Sequence, residues 1–249
     1  MASHDTAAGV AAYSPIFLRA IYDNVVLGLY CSYVWRCPSA RLQRFYDDTI
    51  TSTGKQVQES NNGSEPVRLL DIGVGTGYFL EQAPIPAGAE VSLVDLNDNC
   101  LETAAARVTK SHPSVLVRTV HADFLDSDME SSVAISPKRL NEAKFDVISC
   151  FLLLHCLPGP PKRKAEAVVR LRRHLNTNGV IIGSTVLGKG VQHNLPGKVI
   201  MWWHNRAGIF DNYSDDPQSL IGPLEEAFET VRWEVVGATL LFEARNPKM

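Results

Sequence analysis

The stretch L-L-D-I-G-V-G-T-G-Y-F, residues 69–79, passes from an apolar run through three closely spaced glycines into the helical pattern Y-F-L-E-Q-A. Glycines at Gly73, Gly75 and Gly77 suit a sharp strand-to-helix turn whose backbone a ligand approaches closely. A dinucleotide fingerprint would place its third glycine at 78, where this chain has Tyr78. Asp71, two positions before the first glycine, would also repel a pyrophosphate. A cofactor with a cationic head and no phosphate fits the turn better.

Working outward, short apolar runs alternate with helical patterns: VRLLDIG (67–73), EVSLVDL (90–96), VLVRTVHAD (115–123), FDVISCF (145–151) and GVIIGSTV (179–186). Helices are expected between several of them, at 97–110 and 162–175. Strands separated by helices need parallel crossovers, so the chain reads as an α/β doubly wound sheet with helices on both faces. At the end, TVRWEVV (230–236) and TLLFEAR (239–245) are joined only by Gly237 and Ala238, which permits an antiparallel hairpin and nothing else. Residues 126–144 read as a surface loop.

Residues 1–12 are expected to be flexible, 13–50 to form a helical arm rich in aromatics with starts marked by Pro15 and Pro38, and 51–66 to be a polar linker. The remainder, 67–249, reads as one domain.

Composition removes several function classes. A net charge of −3 over 249 residues provides no footprint for nucleic acid. Five cysteines with no CxxC pair argue against a disulfide framework or a zinc site, so no metal is expected. The longest apolar run, Val147 to Leu154, is far short of the ~20 residues that span a bilayer, and no membrane partner is expected. The first residues, MASHDTAAGVAAYSP, lack the basic start of an export signal, which points to the cytoplasm.

Four stretches together resemble the class I S-adenosylmethionine-dependent methyltransferases: LLDIGVGTGYF, Asp95 at the end of EVSLVDL, HADFLD (121–126) and CFLLLHCLPG (150–159). With YDNVVLG (22–28) and VWRCPS (34–39), the chain looks most like the small type 11/12 members of bacteria and fungi, many of which act on secondary metabolites. The resemblance implies a Rossmann-like, seven-stranded, mostly parallel sheet whose final strand inserts antiparallel beside the fifth. It implies S-adenosyl-L-methionine as cofactor, held by Asp71, Gly73, Gly75, Gly77, Asp95, Leu96, Ala122, Asp123 and Phe124. Asp95 would grip the ribose hydroxyls and Asp123 the adenine amine; Tyr22 and Arg36 of the arm would also reach the cofactor, Arg36 at its carboxylate.

The expected reaction is methyl transfer to an oxygen, nitrogen or carbon of a small organic molecule. An Asn/Asp-Pro-Pro-Tyr run, which resembles amide- and nucleobase-methylating enzymes, is absent: Ser149, Cys150, Phe151 and Leu152 stand there. His155, at the carboxyl end of the fourth strand, is the first candidate for a general base, although a packed histidine competes with that reading. Cys156 replaces the second histidine of the family's LHH-type sequence. Residues 188–216 are expected to form a lid, with His193 or His204 reaching the acceptor and Phe151, Trp202, Trp203, Phe210 and Tyr213 binding it. Two alternatives stay open: a catalytically silent partner subunit, and a pocket that guides cyclisation or isomerisation without methyl transfer.

Overall fold

The computed structural model describes residues 27–60, 62 and 64–248. Tyr22, the aromatics Tyr13 and Phe17, Pro15 and the expected flexible start lie outside these residues.

Seven strands form a single sheet in the order β3-β2-β1-β4-β5-β7-β6. They are β1 (Arg68–Ile72), β2 (Glu90–Asp95), β3 (Leu116–His121), β4 (Phe145–Phe151), β5 (Leu175–Val186), β6 (Phe228–Val236) and β7 (Thr239–Pro247). β1 to β5 run parallel, while β7 lies antiparallel between β5 and β6. The Gly237-Ala238 hairpin and the insertion beside the fifth strand are therefore as the sequence implies. β4 is central and buried at all seven positions, whereas β3 is an edge strand with Arg118, Thr119 and His121 exposed.

Alternation along each strand divides the core into two layers. Leu70, Ile148 and Ile181 point to one face, where α4 (Pro161–Arg170) and α6 (Pro217–Ala227) cover them with Ala165, Val168, Leu220 and Leu224. Leu69, Val147 and Ile182 point to the other, under α1 (Ser39–Ser60), α2 (Tyr78–Gln82) and α3 (Asp98–Ser111). Each fully buried aliphatic side chain contributes roughly 1.5–3 kcal/mol relative to exposure. The remaining helix, α5 (Leu195–Arg206), belongs to the excursion that follows β5.

Three local expectations are corrected. The linker assigned to 51–66 is helix through Ser60: α1 begins just after Pro38 and continues through the polar stretch without a break. Gly54, which reads as a loop signal, is a packing position, since a Cβ there would stand 3.2 Å from Pro86 Cγ. Residues 126–144 are not merely surface, because Ala134, Ile135 and Leu140 are buried. The helix expected to reach Leu175 ends as α at Arg170, tightens to 3₁₀ over Leu171–His174, and β5 starts at Leu175.

Candidate functional site

The carboxyl ends of β1, β2, β3 and β4 converge on a cavity of about 160 Å3. This is where open α/β sheets hold ligands, because the strand order reverses beside β1 and leaves a crevice. After β1, Gly73, Gly75 and Gly77 have φ of +69°, +54° and +74°, a left-handed path that other residues adopt only with strain. A Cβ built on Gly75 meets nothing within 4 Å, so this turn faces open space.

Asp95 ties the turn to β2. Its Oδ2 accepts from the Gly75 amide at 3.3 Å and its Oδ1 from the Asn97 amide at 2.9 Å. Burial raises its carboxyl above the ordinary range, against the opposing pull of those amides. Asn97 Oδ1 then accepts from the Asn99 amide at 3.0 Å and caps α3, so the end of β2 is fixed from both sides. One strand over, the Ala122 amide donates to the Asp95 carbonyl at 3.1 Å, and Asp123 Oδ1 accepts from Leu125 at 2.8 Å. From β4 come Phe151, Leu152 and Leu153, with Leu152 held at φ +51°. A left-handed leucine costs roughly 1–2 kcal/mol, and such strain concentrates at functional sites.

The cavity lining suits the implied cofactor. Among the described residues it contains the carboxylates of Asp95 and Asp123 and no lysine, arginine or histidine. An anionic rim over a mostly apolar wall attracts a sulfonium and disfavours a phosphate-bearing cofactor. Gly73, Gly75, Asp95, Leu96, Ala122, Asp123 and Phe124 all line it, as does Phe151 of the expected acceptor set. The thiols at Cys100 and Cys156 are kept neutral by burial, which pushes Cys156 up to about 12.

Asp71 lies behind the cavity and does not line it. Its Oδ1 accepts from Ser149 Oγ at 2.7 Å, and Tyr46 Oη lies 3.4 Å from that same Oγ. Burial pushes Asp71 up to about 7 and moves Tyr46 well above its ordinary value. Gly77 also sits behind the cavity, against Ala104 of α3, at 3.0 Å from a built Cβ.

Several expected site residues are elsewhere. His155 is buried in an aromatic cluster, 4.4 Å from the Phe210 ring, with Nδ1 accepting from the Val186 amide at 3.3 Å. Burial lowers it to about 3, which weakens it as a base, and it does not line the cavity. His204 packs on Phe210 at 4.5 Å and is lowered to about 4; His193 packs edge-on against Trp35 at 6.1 Å. Arg36 donates to the Gln192 carbonyl and does not line the cavity. Trp202, Trp203 and Tyr213 are exposed and Phe210 is buried outside the cavity.

The excursion is also no loose lid. Gly188 and Lys189 both donate to the Asp215 carbonyl at 3.0 Å, and Asn212 Nδ2 donates to the Val186 carbonyl at 2.9 Å. Lys164 of α4, fully buried, donates to Asp215 Oδ2 at 2.7 Å and to the Asp211 carbonyl at 2.6 Å. These bonds staple both ends together. Sequence reasoning missed Lys164, Tyr46 and Ser149. It also missed the cavity positions Tyr78, Phe79, Asn97 and Leu153.

Residues 35–235 match the model of a family described as a methyltransferase domain. The chain is 36 % identical to a physcion biosynthesis cluster O-methyltransferase of Aspergillus chevalieri, covering 98 % of this chain and 97 % of the relative. It is 32 % identical to methyltransferase aurB of Calcarisporium arbuscula, covering 95 % and 96 %, and 33 % identical to O-methyltransferase NEC2 of Pyricularia oryzae, covering 100 % and 96 %. Among solved structures, a Haemonchus contortus phosphoethanolamine N-methyltransferase 2 complex superposes with a TM-score of 0.60 at 13 % identity, over 100 % of this chain and 61 % of that one. At that identity the likeness concerns the fold.

Proposed function

The chain belongs to the class I S-adenosylmethionine-dependent methyltransferases, and on that premise we propose that it methylates a hydroxyl oxygen of a small, largely apolar secondary metabolite. Methyl transfer from S-adenosylmethionine to a small organic molecule is the family's activity and this chain's. The choice of oxygen, and of a secondary metabolite, is supported by the names of the physcion-cluster and NEC2 relatives. The observation that carries the reading is the cavity itself: an anionic rim of Asp95 and Asp123, an open cradle at Gly75, and an apolar wall from Phe79, Phe151, Leu153 and Leu157.

When bound, the cofactor supplies a methyl group already activated on a sulfonium, so placement can provide most of the rate. Asp95 would accept from the ribose hydroxyls with the carboxylate that already holds Gly75 and Asn97 in place. Asp123 would accept from the adenine amine, with Ala122 and Phe124 against the ring. Ser149 donates to Asp71, which precedes the glycine turn, and Tyr46 lies beside that Ser149 hydroxyl. The apolar wall excludes water from the reacting centre and suits an acceptor with few charged groups. Leu27 is the described part of the arm that reaches this wall. We place the enzyme in the cytoplasm, where its five free cysteines stay reduced, and exclude nucleic acid as acceptor on the net charge of −3.

The test is transfer from S-adenosylmethionine labelled with deuterium in its methyl group, using a panel of hydroxylated aromatic acceptors and their amine analogues. Label on oxygen, with S-adenosylhomocysteine formed in equal amount, supports the proposal. Label on nitrogen or carbon alone would remove the oxygen assignment and leave the family intact.

A further inference from the structure

Helix α5 and the π-helical turn at 27–34 carry an exposed apolar face that the cofactor cavity does not use. On α5, Leu195, Val199 and Trp202 fall at i, i+4 and i+7 with Trp203 beside them, and they are 78, 62, 60 and 50 % exposed. The opposite side of the helix, Gly197, Met201 and His204, is the side that packs on the protein. Leu29 and Tyr33, one helical turn apart, are also exposed. The two segments lie side by side, since Asn194 Nδ2 donates to the Tyr33 carbonyl at 2.8 Å and a Cβ on Gly197 would stand 3.3 Å from the Val34 carbonyl oxygen. Amphipathic helices normally bury their large apolar residues against the core. Here they point away from it.

The segment that carries α5 has charge of one sign. From Leu187 to Phe210 the chain has no Asp or Glu, while Lys189, Lys198 and Arg206 supply three cations, in a protein whose net charge is −3. Lys198 and Arg206 are exposed on the same helix as the tryptophans. The next carboxylate along the chain, Asp211, accepts from the Gly159 amide at 2.8 Å.

We propose that this face docks on an anionic lipid surface, with Trp202 and Trp203 at headgroup level and Lys198 and Arg206 at the phosphates. Indole rings pair an apolar body with one N–H donor, which suits the boundary between acyl chains and water. Basic side chains beside an apolar stripe add attraction to anionic lipid. A second copy of the chain fits less well, because pairing the faces about a two-fold axis sets the cations of one against those of the other. Among the described residues no helix is long and apolar enough to cross a membrane, and surface docking requires none. The expectation of no membrane partner rested on the lack of a spanning segment, and this proposal departs from it.

The test is flotation of the full chain with phosphatidylcholine vesicles, alone or containing about 30 % phosphatidylserine, at roughly 0.1 M salt. Flotation with the anionic vesicles only, and quenching of tryptophan emission by lipids brominated near the headgroup, is the expected result. The Trp202→Ala/Trp203→Ala variant should lose about tenfold in partitioning, and Lys198→Gln/Arg206→Gln should lose the phosphatidylserine preference, both with the parent's melting temperature. The proposal is overturned if the parent does not float, including the case in which it floats only after residues 1–26 are removed. It is equally overturned if the tryptophan variant floats like the parent, or if that variant instead abolishes a vesicle-independent dimer.

Discussion

The Gly75 amide donates to the Asp95 carboxylate at 3.3 Å, so the turn that opens the cavity is held by the residue assigned to the cofactor's ribose. Binding and local order are thereby coupled: the group that receives the cofactor also shapes the backbone beneath it.

Gly75 and Gly77 should respond differently to the same substitution. At Gly75 a methyl group enters open space, so Gly75→Ala should cost stability only through its left-handed φ, about 1–2 kcal/mol, and lower cofactor affinity by more. At Gly77 the added carbon stands 3.0 Å from Ala104 Cα, so stability should fall first and affinity only along with it. Melting curves paired with calorimetric titrations distinguish the two, and the reverse ranking would contradict the orientation of the turn.

Asp71 should leave a signature in the pH dependence of stability. The fold raises it to about 7 from an ordinary 3.8, so between those values the folded protein binds a proton that the unfolded chain releases. Its stabilising contribution is complete below the lower value and is lost as pH rises through about 7, at up to ~1.4 kcal/mol per pH unit. Asp71→Asn still accepts from Ser149 but cannot titrate. Its melting temperature relative to the parent should therefore rise between pH 5 and pH 8, and parallel curves would show that burial does not perturb Asp71.

His155 serves as a test of the packed-histidine assignment. His155→Gln removes a ring packed 4.4 Å from Phe210 and should cost about 1–3 kcal/mol of stability. Turnover per folded molecule should stay within a few-fold and its pH profile should not shift. A loss of about 10²-fold or more with the fold intact would restore the general-base role.

The Lys164–Asp215 pair should be costly to break and cheap to replace. Lys164→Ala leaves a carboxylate buried without its partner, a loss of about 3–5 kcal/mol. The double variant Lys164→Met/Asp215→Leu should recover most of it by chemical denaturation. A double variant as unstable as the single one would mean that the ion pair itself, not the avoidance of an orphaned charge, holds the excursion.

Legibility in the sequence follows how local the physics is. The glycine turn, Asp95 at a strand end and the Gly237-Ala238 hairpin are decided within a few residues, and all were readable. Ser149 stands 78 positions from Asp71, and Tyr46 stands 103 from Ser149, so their link becomes visible only when the sheet is assembled. The polar half of α1 reads as linker because its partner surface around Pro86 is supplied by another loop. Trp202 and Trp203 read as a cover because aromatic residues near a strand's carboxyl end suit one. Yet the staple at Asp215 and the burial of Met201 and His204 turn the helix so that both tryptophans face outward. Nothing local marks Lys164 for burial, and only the arrival of Asp215 opposite it allows that.

Calorimetric titration of S-adenosylhomocysteine into the parent and into Asp95→Ala tests the assignment of this cavity most directly. The parent should bind, and the variant, with its fold intact, should lose about 1–3 kcal/mol of binding free energy as charge-assisted hydrogen bonds to the ribose disappear. Equal affinity in a folded Asp95→Ala protein would contradict it and send the cofactor elsewhere.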